Sequence, residues 1–225
     1  MVVAVRLDRP ITGEPCMRKR RLAHFAVAAM LLVATAMAGR PLQAADDGVF
    51  RLRGAGSWTC SQFLEVVKNQ DERGLYLAGG WIDGYVTALN DRVDGVFEMF
   101  PWQSTELVME LVHNHCERVP EEMFFAAVAR LVVVTKPTRL AKKSEIVEIP
   151  VPEGKPIQLY KPSLAKAQEQ LKALGHYTST VDGAFGPGTA AAFRAFQAAA
   201  GLPESGLPDQ ITLWTLFAPL YEQAG

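Results

Sequence analysis

The sequence predicts an all-α fold: a disulfide-tied helical domain followed by a small three-helix bundle. Three observations carry this. Apolar residues recur at three- and four-residue spacings through residues 57–135 and again through 163–217, the period of amphipathic helices. A proline-dense stretch at 136–162 separates the two patterns. Cys60 and Cys116 fall inside the first pattern, where one bond between them would close it.

Residues 1–45 hold seven basic and two acidic side chains. Arg18-Lys19-Arg20-Arg21 precedes an apolar run from Leu22 to Ala38, then Gly39-Arg40-Pro41 and the small residues Ala44-Ala45. This is the order of a secretory signal, and we expect export, cleavage near Ala45 and a periplasmic location. A membrane would be met only through this segment if it stayed uncleaved, and Met17 offers an alternative start that would exclude Cys16. The whole chain has 23 Lys and Arg against 24 Asp and Glu, but removing the signal leaves 16 against 22, a net charge of −6. An acidic mature chain is not the footprint of a nucleic-acid binder.

Export puts Cys60 and Cys116 in an oxidising compartment, so an even pair reads as a disulfide. His113 shares a helix face with Cys116 while His115 points elsewhere, and a bonded sulfur is no thiolate ligand. No metal and no cofactor are expected.

Within 46–135, Thr59-Cys60-Ser61-Gln62 has the spacing of a capping box and predicts a helix through Phe63, Leu64, Val66 and Val67. A second helix is expected from Leu75 to Asn90, with Ala78, Ile82, Tyr85, Val86 and Leu89 on one face. Gly79, Gly80 and Gly84 weaken it and suggest close approach of another backbone. Trp81 and Tyr85 suit core packing better than a ligand groove. A third helix should run from Ser104 to Cys116, and Pro120-Glu121-Glu122 reads as the first turn of a fourth whose stripe includes Met123, Phe124, Ala127 and Val128.

Residues 136–162 contain five prolines and a net charge of +3. They read as an interdomain linker, either a semi-rigid spacer or an edge strand around Ile146 to Val151. In 163–220, Ser163 is expected to cap a helix bearing Leu164, Ala167, Leu171 and Leu174 and ending at Gly175. The turn Thr180-Val181-Asp182-Gly183-Ala184-Phe185-Gly186-Pro187-Gly188 leads to Thr189, a second cap, and a helix through Phe193 and Phe196 to Gly201. Asp209 caps the last helix.

The series Leu171-x-x-Leu174-Gly175-x-Tyr177, Val181-Asp182-Gly183-x-Phe185-Gly186-Pro187-x-Thr189, Ala192-Phe193-x-x-Phe196-Gln197 and Gly201-Leu202-Pro203-x-x-Gly206 resembles the three-helix peptidoglycan-binding module of bacterial cell-wall proteins. The resemblance covers about a quarter of the chain and implies peptidoglycan as the partner. It makes Tyr177, Asp182, Gly183, Phe185, Gly186, Thr189, Phe193 and Gln197 the candidate ligand-binding residues. Taken alone, most of these shape the fold: a tight turn, a cap and a core. Gly188 stands where that family usually has a basic residue.

Gly56-Ser57-Trp58-Thr59-Cys60-x-x-Phe63-Leu64, with Cys116 downstream, is similar to small periplasmic acid-resistance chaperones of the HdeA type. Trp81-Ile82-x-Gly84-Tyr85 is similar to small disulfide-bonded periplasmic proteins, some of them immunity proteins against wall hydrolases. The leading expectation is a non-enzymatic, wall-associated protein that localises its helical domain. The alternatives are an acid-stress chaperone, for which 46–135 holds fourteen acidic and seven basic residues, and an inhibitor of a wall-active enzyme. Each gives the helical domain a client or partner protein. Catalysis is not expected: the histidines are too few for a zinc amidase.

Overall fold

The computed structural model describes residues 50–222. The expected signal, its cleavage site, Met17 and Cys16 lie outside the described residues. From Arg51 onward the described chain is one compact unit. It is mostly helical, with one two-stranded sheet.

The first part holds α1 (Cys60–Lys68), α2 (Glu72–Arg92), α3 (Thr105–Cys116) and α4 (Phe124–Thr135). The capping box forms as expected: Gln62 N–H donates to Thr59 Oγ1 at 3.2 Å and Thr59 N–H to Gln62 Oε1 at 2.9 Å. Ser104 caps α3 by accepting from Leu107 N–H at 3.2 Å. The Cys60–Cys116 disulfide ties the start of α1 to the end of α3, and Phe63 and Phe124 pack beside it with ring centroids 4.8 Å apart. Trp81 stacks on Tyr85 at 5.4 Å and meets Phe124 edge-on at 5.7 Å, the packing role expected of it.

Two expectations for these helices need correction. Pro120-Glu121-Glu122 does not open the fourth helix, which begins at Phe124 with Met123 as its N-cap. The Glu122 and Pro120 carbonyls instead accept from the N–H groups of Cys60 and Ser61 at 2.7 and 2.8 Å. The first N–H groups of a helix have no partner within it, and the turn at 120–122 supplies two for α1. Nor do all the α2 glycines mark a close approach. A Cβ on Gly79 would lie 3.4 Å from Met109 and Thr105, but Gly80 and Gly84 face open space. The tight position is Gly74, where a Cβ would come within 2.6 Å of Val66.

Glu122 also anchors the α3–α4 connection through its carboxylate, which accepts from Arg130 Nη2 at 2.8 Å and is bonded to His115. The hydrogen bonds from Arg130 and His115 hold this carboxyl below its ordinary value of 4.5. A value lowered by folding means that the stabilisation is complete above the ordinary value and is lost as pH falls through the folded one. Glu122→Gln should therefore be less stable than the parent chain near pH 7, and in urea unfolding the gap should shrink in acid as pH falls through the lowered carboxyl value. An equal gap at neutral and acid pH would contradict this assignment.

In the segment 136–162 the strand reading is the one that forms. Strands β1 (Ile146–Ile149) and β2 (Ile157–Tyr160) pair antiparallel, Ile146 opposite Tyr160 and Ile149 opposite Ile157. An isolated two-stranded hairpin is marginal in water. This one is held by Ile149 and Leu159, which are fully buried in the core of the following helices. Pro150, Pro152 and Pro156 fall between the strands, where no ladder N–H is needed.

Strand β2 runs directly into α5 (Lys161–Ala173), followed by α6 (Pro187–Ala200) and α7 (Gln210–Glu222). Gly175 and Gly201 end the first two at φ +82° and +68°, as their positions in the sequence predict. Asp209 caps the third by accepting from Thr212 N–H at 2.8 Å. Ser163 and Thr189 are not caps. Each lies inside its helix, because Pro162 and Pro187 occupy the first turns and the N-caps fall three residues upstream, at Tyr160 and Gly186.

The core of these helices includes Trp102, from the α2–α3 connection, packed on Phe217 at 5.5 Å. Beside it Gln210 clasps the same connection: its amide donates to the Trp102 carbonyl at 2.6 Å and accepts from Ser104 N–H at 2.8 Å. Gln210→Ala strands both backbone groups and should cost about 1–2 kcal/mol in denaturant unfolding. An unchanged midpoint would show that the clasp is idle.

Candidate functional site

The turn between α5 and α6 is built around a side chain that pattern reading passed over. Gln168 projects from α5, fully buried, into the loop 177–189. Its Oε1 accepts from the N–H groups of Asp182 and Gly183 at 3.0 and 2.8 Å. Its Nε2 lies 3.0 to 3.2 Å from Asp182 Oδ1, the Ala184 carbonyl, Thr189 Oγ1 and Tyr177 Oη. One amide thus fixes five residues of the loop. Gly183 is required here on two counts: φ is +68°, and a Cβ would meet the Lys161 carbonyl at 2.6 Å.

The candidate residues take their places around this amide. Tyr177 is buried and donates to the Thr180 carbonyl at 2.9 Å. Thr189 is buried and donates to the Ala184 carbonyl at 3.1 Å. Phe193 is core, with Phe185 half-buried against it at 6.5 Å. Gly186 is the N-cap of α6. Asp182 remains exposed, and hydrogen bonds from Ala184 N–H and then Gln168 hold its carboxyl below the usual range. It is an ionised acceptor at neutral pH, committed in part to its own turn. The exposed rim is completed by Thr178, Ser179, Thr180 and Gly188.

Gln197 repeats the device one helix later. Its Oε1 accepts from Gly206 N–H at 2.7 Å, and its Nε2 lies 3.0 Å from each of Ser205 Oγ, the Leu207 carbonyl and Thr212 Oγ1, which share its two N–H donors. Gly206 has φ +71°, close to that of Gly183. The two loops are copies of one design. Leu164-x-x-Ala167-Gln168 corresponds to Phe193-x-x-Phe196-Gln197, and each positive-φ glycine stands six residues before its threonine, Gly183 before Thr189 and Gly206 before Thr212. That internal repeat was the signal in the sequence that would have found Gln168.

Chemically, this arrangement offers rigidity and a polar rim. The buried polar groups of the latch are satisfied by one another. Among the described residues no group of three or more His, Cys, Asp or Glu side chains is placed to hold a metal ion. No described helix is long and apolar enough to cross a membrane.

Residues 161–216 match a family model described as "Putative peptidoglycan binding domain". The match begins at the first residue of α5 and ends within α7, so it spans both glutamine latches. It supports a peptidoglycan-binding module at the C-terminal end and does not extend to the chaperone-like resemblance of the first part. No curated protein and no solved structure matches the chain.

Proposed function

We propose that this protein is exported and binds peptidoglycan through residues 161–216, holding its disulfide-tied helices at the cell wall without catalysing a reaction. The match over 161–216, coincident with three helices and two internally latched loops, carries the reading. The Cys60–Cys116 bond agrees with an oxidising compartment.

In this reading the rim of the α5–α6 loop meets the polymer. Asp182 and Phe185 present a carboxylate and an aromatic edge, and Gly186 leaves the space beside its Cα open. Tyr177, Gly183, Thr189, Phe193 and Gln197 contribute by fixing the shape of that rim. The benefit of binding is localisation: attachment raises the effective concentration of the first four helices at the wall. Neither client binding in acid nor inhibition of a wall-active enzyme draws support from the geometry or from similarity.

Co-sedimentation of residues 46–225 with purified sacculi is the test. Retention that is saturable and reversed by soluble muropeptides is expected, and a protein left in the supernatant would overturn the reading.

A further inference from the structure

Helix α2 leaves one face without a partner. At 3.6 residues per turn, Arg73, Leu77, Gly80, Gly84, Thr87 and Asp91 fall on one line, alternately four and three apart, the spacing of the seam between two paired helices. All six are exposed, and the line runs opposite Ala78 and Ile82, which are buried in the core. Tyr76 and Ala88 flank it, exposed as well.

Three features of this face have no use within the chain. Tyr76 is 81% exposed, more than any other large hydrophobic among the described residues, and Leu77 beside it is 51% exposed. Adjoining apolar side chains left in water mark a contact surface. Gly80 and Gly84 each weaken a helix interior, yet a Cβ at either would meet nothing within 4 Å, so no neighbour in the fold calls for them. Arg73 is in no ion pair among the described residues. Asp91 meets only the adjacent Arg92, at 2.7 Å, in a pair exposed enough to contribute little.

We propose that this face pairs with the same face of a second copy of the chain, the two α2 helices running antiparallel about a two-fold axis between Gly80 and Gly84. The charges select both the occupant and the direction. Arg73 stands nine residues before Ile82, the midpoint of the two glycines, and Asp91 nine after it. Reversal about that midpoint therefore sets the Arg73 of each copy against the Asp91 of the other, twice by symmetry. Parallel pairing would set each charge against its own kind. In the antiparallel register the glycines cross with no side chain between the backbones, and Tyr76 and Leu77 cover Thr87 and Ala88 of the second copy. The inference does not depend on the wall-binding reading. Where that reading holds, the pair carries two modules to the wall and retention gains from both.

The test is sedimentation equilibrium of residues 46–225 from low micromolar to near-millimolar concentration, with variants of this face. The parent chain should approach the mass of a dimer as concentration rises. Arg73→Glu and Asp91→Arg should each weaken association about tenfold or more, because each opposes like charges, and the two together should restore it. Gly80→Leu should also weaken association while thermal unfolding of the monomer holds or rises, since leucine favours a helix over glycine and enters open space. A monomer at every concentration, or a double variant that associates no better than the single ones, would overturn the proposal. So would a dimer indifferent to Gly80→Leu.

Discussion

Gln168→Leu is expected to be the most damaging single substitution in the C-terminal helices. Leucine fills much of the volume but makes none of the bonds, so the buried Gly183 N–H and the half-enclosed Asp182 N–H lose their acceptor. Thr189, Tyr177 and Ala184 lose the donor they share. Each stranded buried group costs about 1–3 kcal/mol, so about 3–5 kcal/mol in urea unfolding is expected, with loss of sacculus retention because the rim no longer holds its shape. Gln197→Leu should act in the same direction through Gly206 and Thr212. A cost below about 1 kcal/mol for Gln168→Leu would show that the loop is held by its core residues instead.

The second large effect is expected at the disulfide. Cys60 and Cys116 are fully buried and 56 residues apart in the chain. On the chain-entropy account, opening a loop of that length costs about 3–4 kcal/mol. The double substitution Cys60→Ala, Cys116→Ala should lower the unfolding midpoint accordingly, and reductant should lower that of the parent chain but not of the variant. Alanine is preferred to serine because two hydroxyls would be buried without partners. The same midpoint for both proteins would mean that the turn at 120–122 and the Phe63–Phe124 packing hold α1 unaided.

What could be read in advance depended on whether a residue acts through its neighbours in sequence or in space. The capping box at Thr59, the glycines at 175 and 201 and the apolar stripes are local, and they were legible. The disulfide followed from a count and a compartment. Non-local partners were hidden. Pro120-Glu121-Glu122 has the composition of a helix start, but the unfilled N–H groups of Cys60 and Ser61 made it a cap for α1. The hairpin at 146–160 was legible only as one of two options, because its stability comes from Ile149 and Leu159 entering the core of later helices. In the candidate site the glycines and phenylalanines were found, while Gln168, the residue that joins them, is an ordinary polar residue on a helix until the fold brings the loop over it. Thr189 was singled out as a cap, and its bonds to Gln168 and Ala184 give it another task.

The most direct measurement of the central claim is a map of amide chemical-shift changes in residues 46–225 on titration with muropeptides released from sacculi. Saturable changes centred on 161–216, strongest around the 177–189 loop, are the predicted result. Changes confined to 51–135, or none at all, would contradict attachment to the wall through this module.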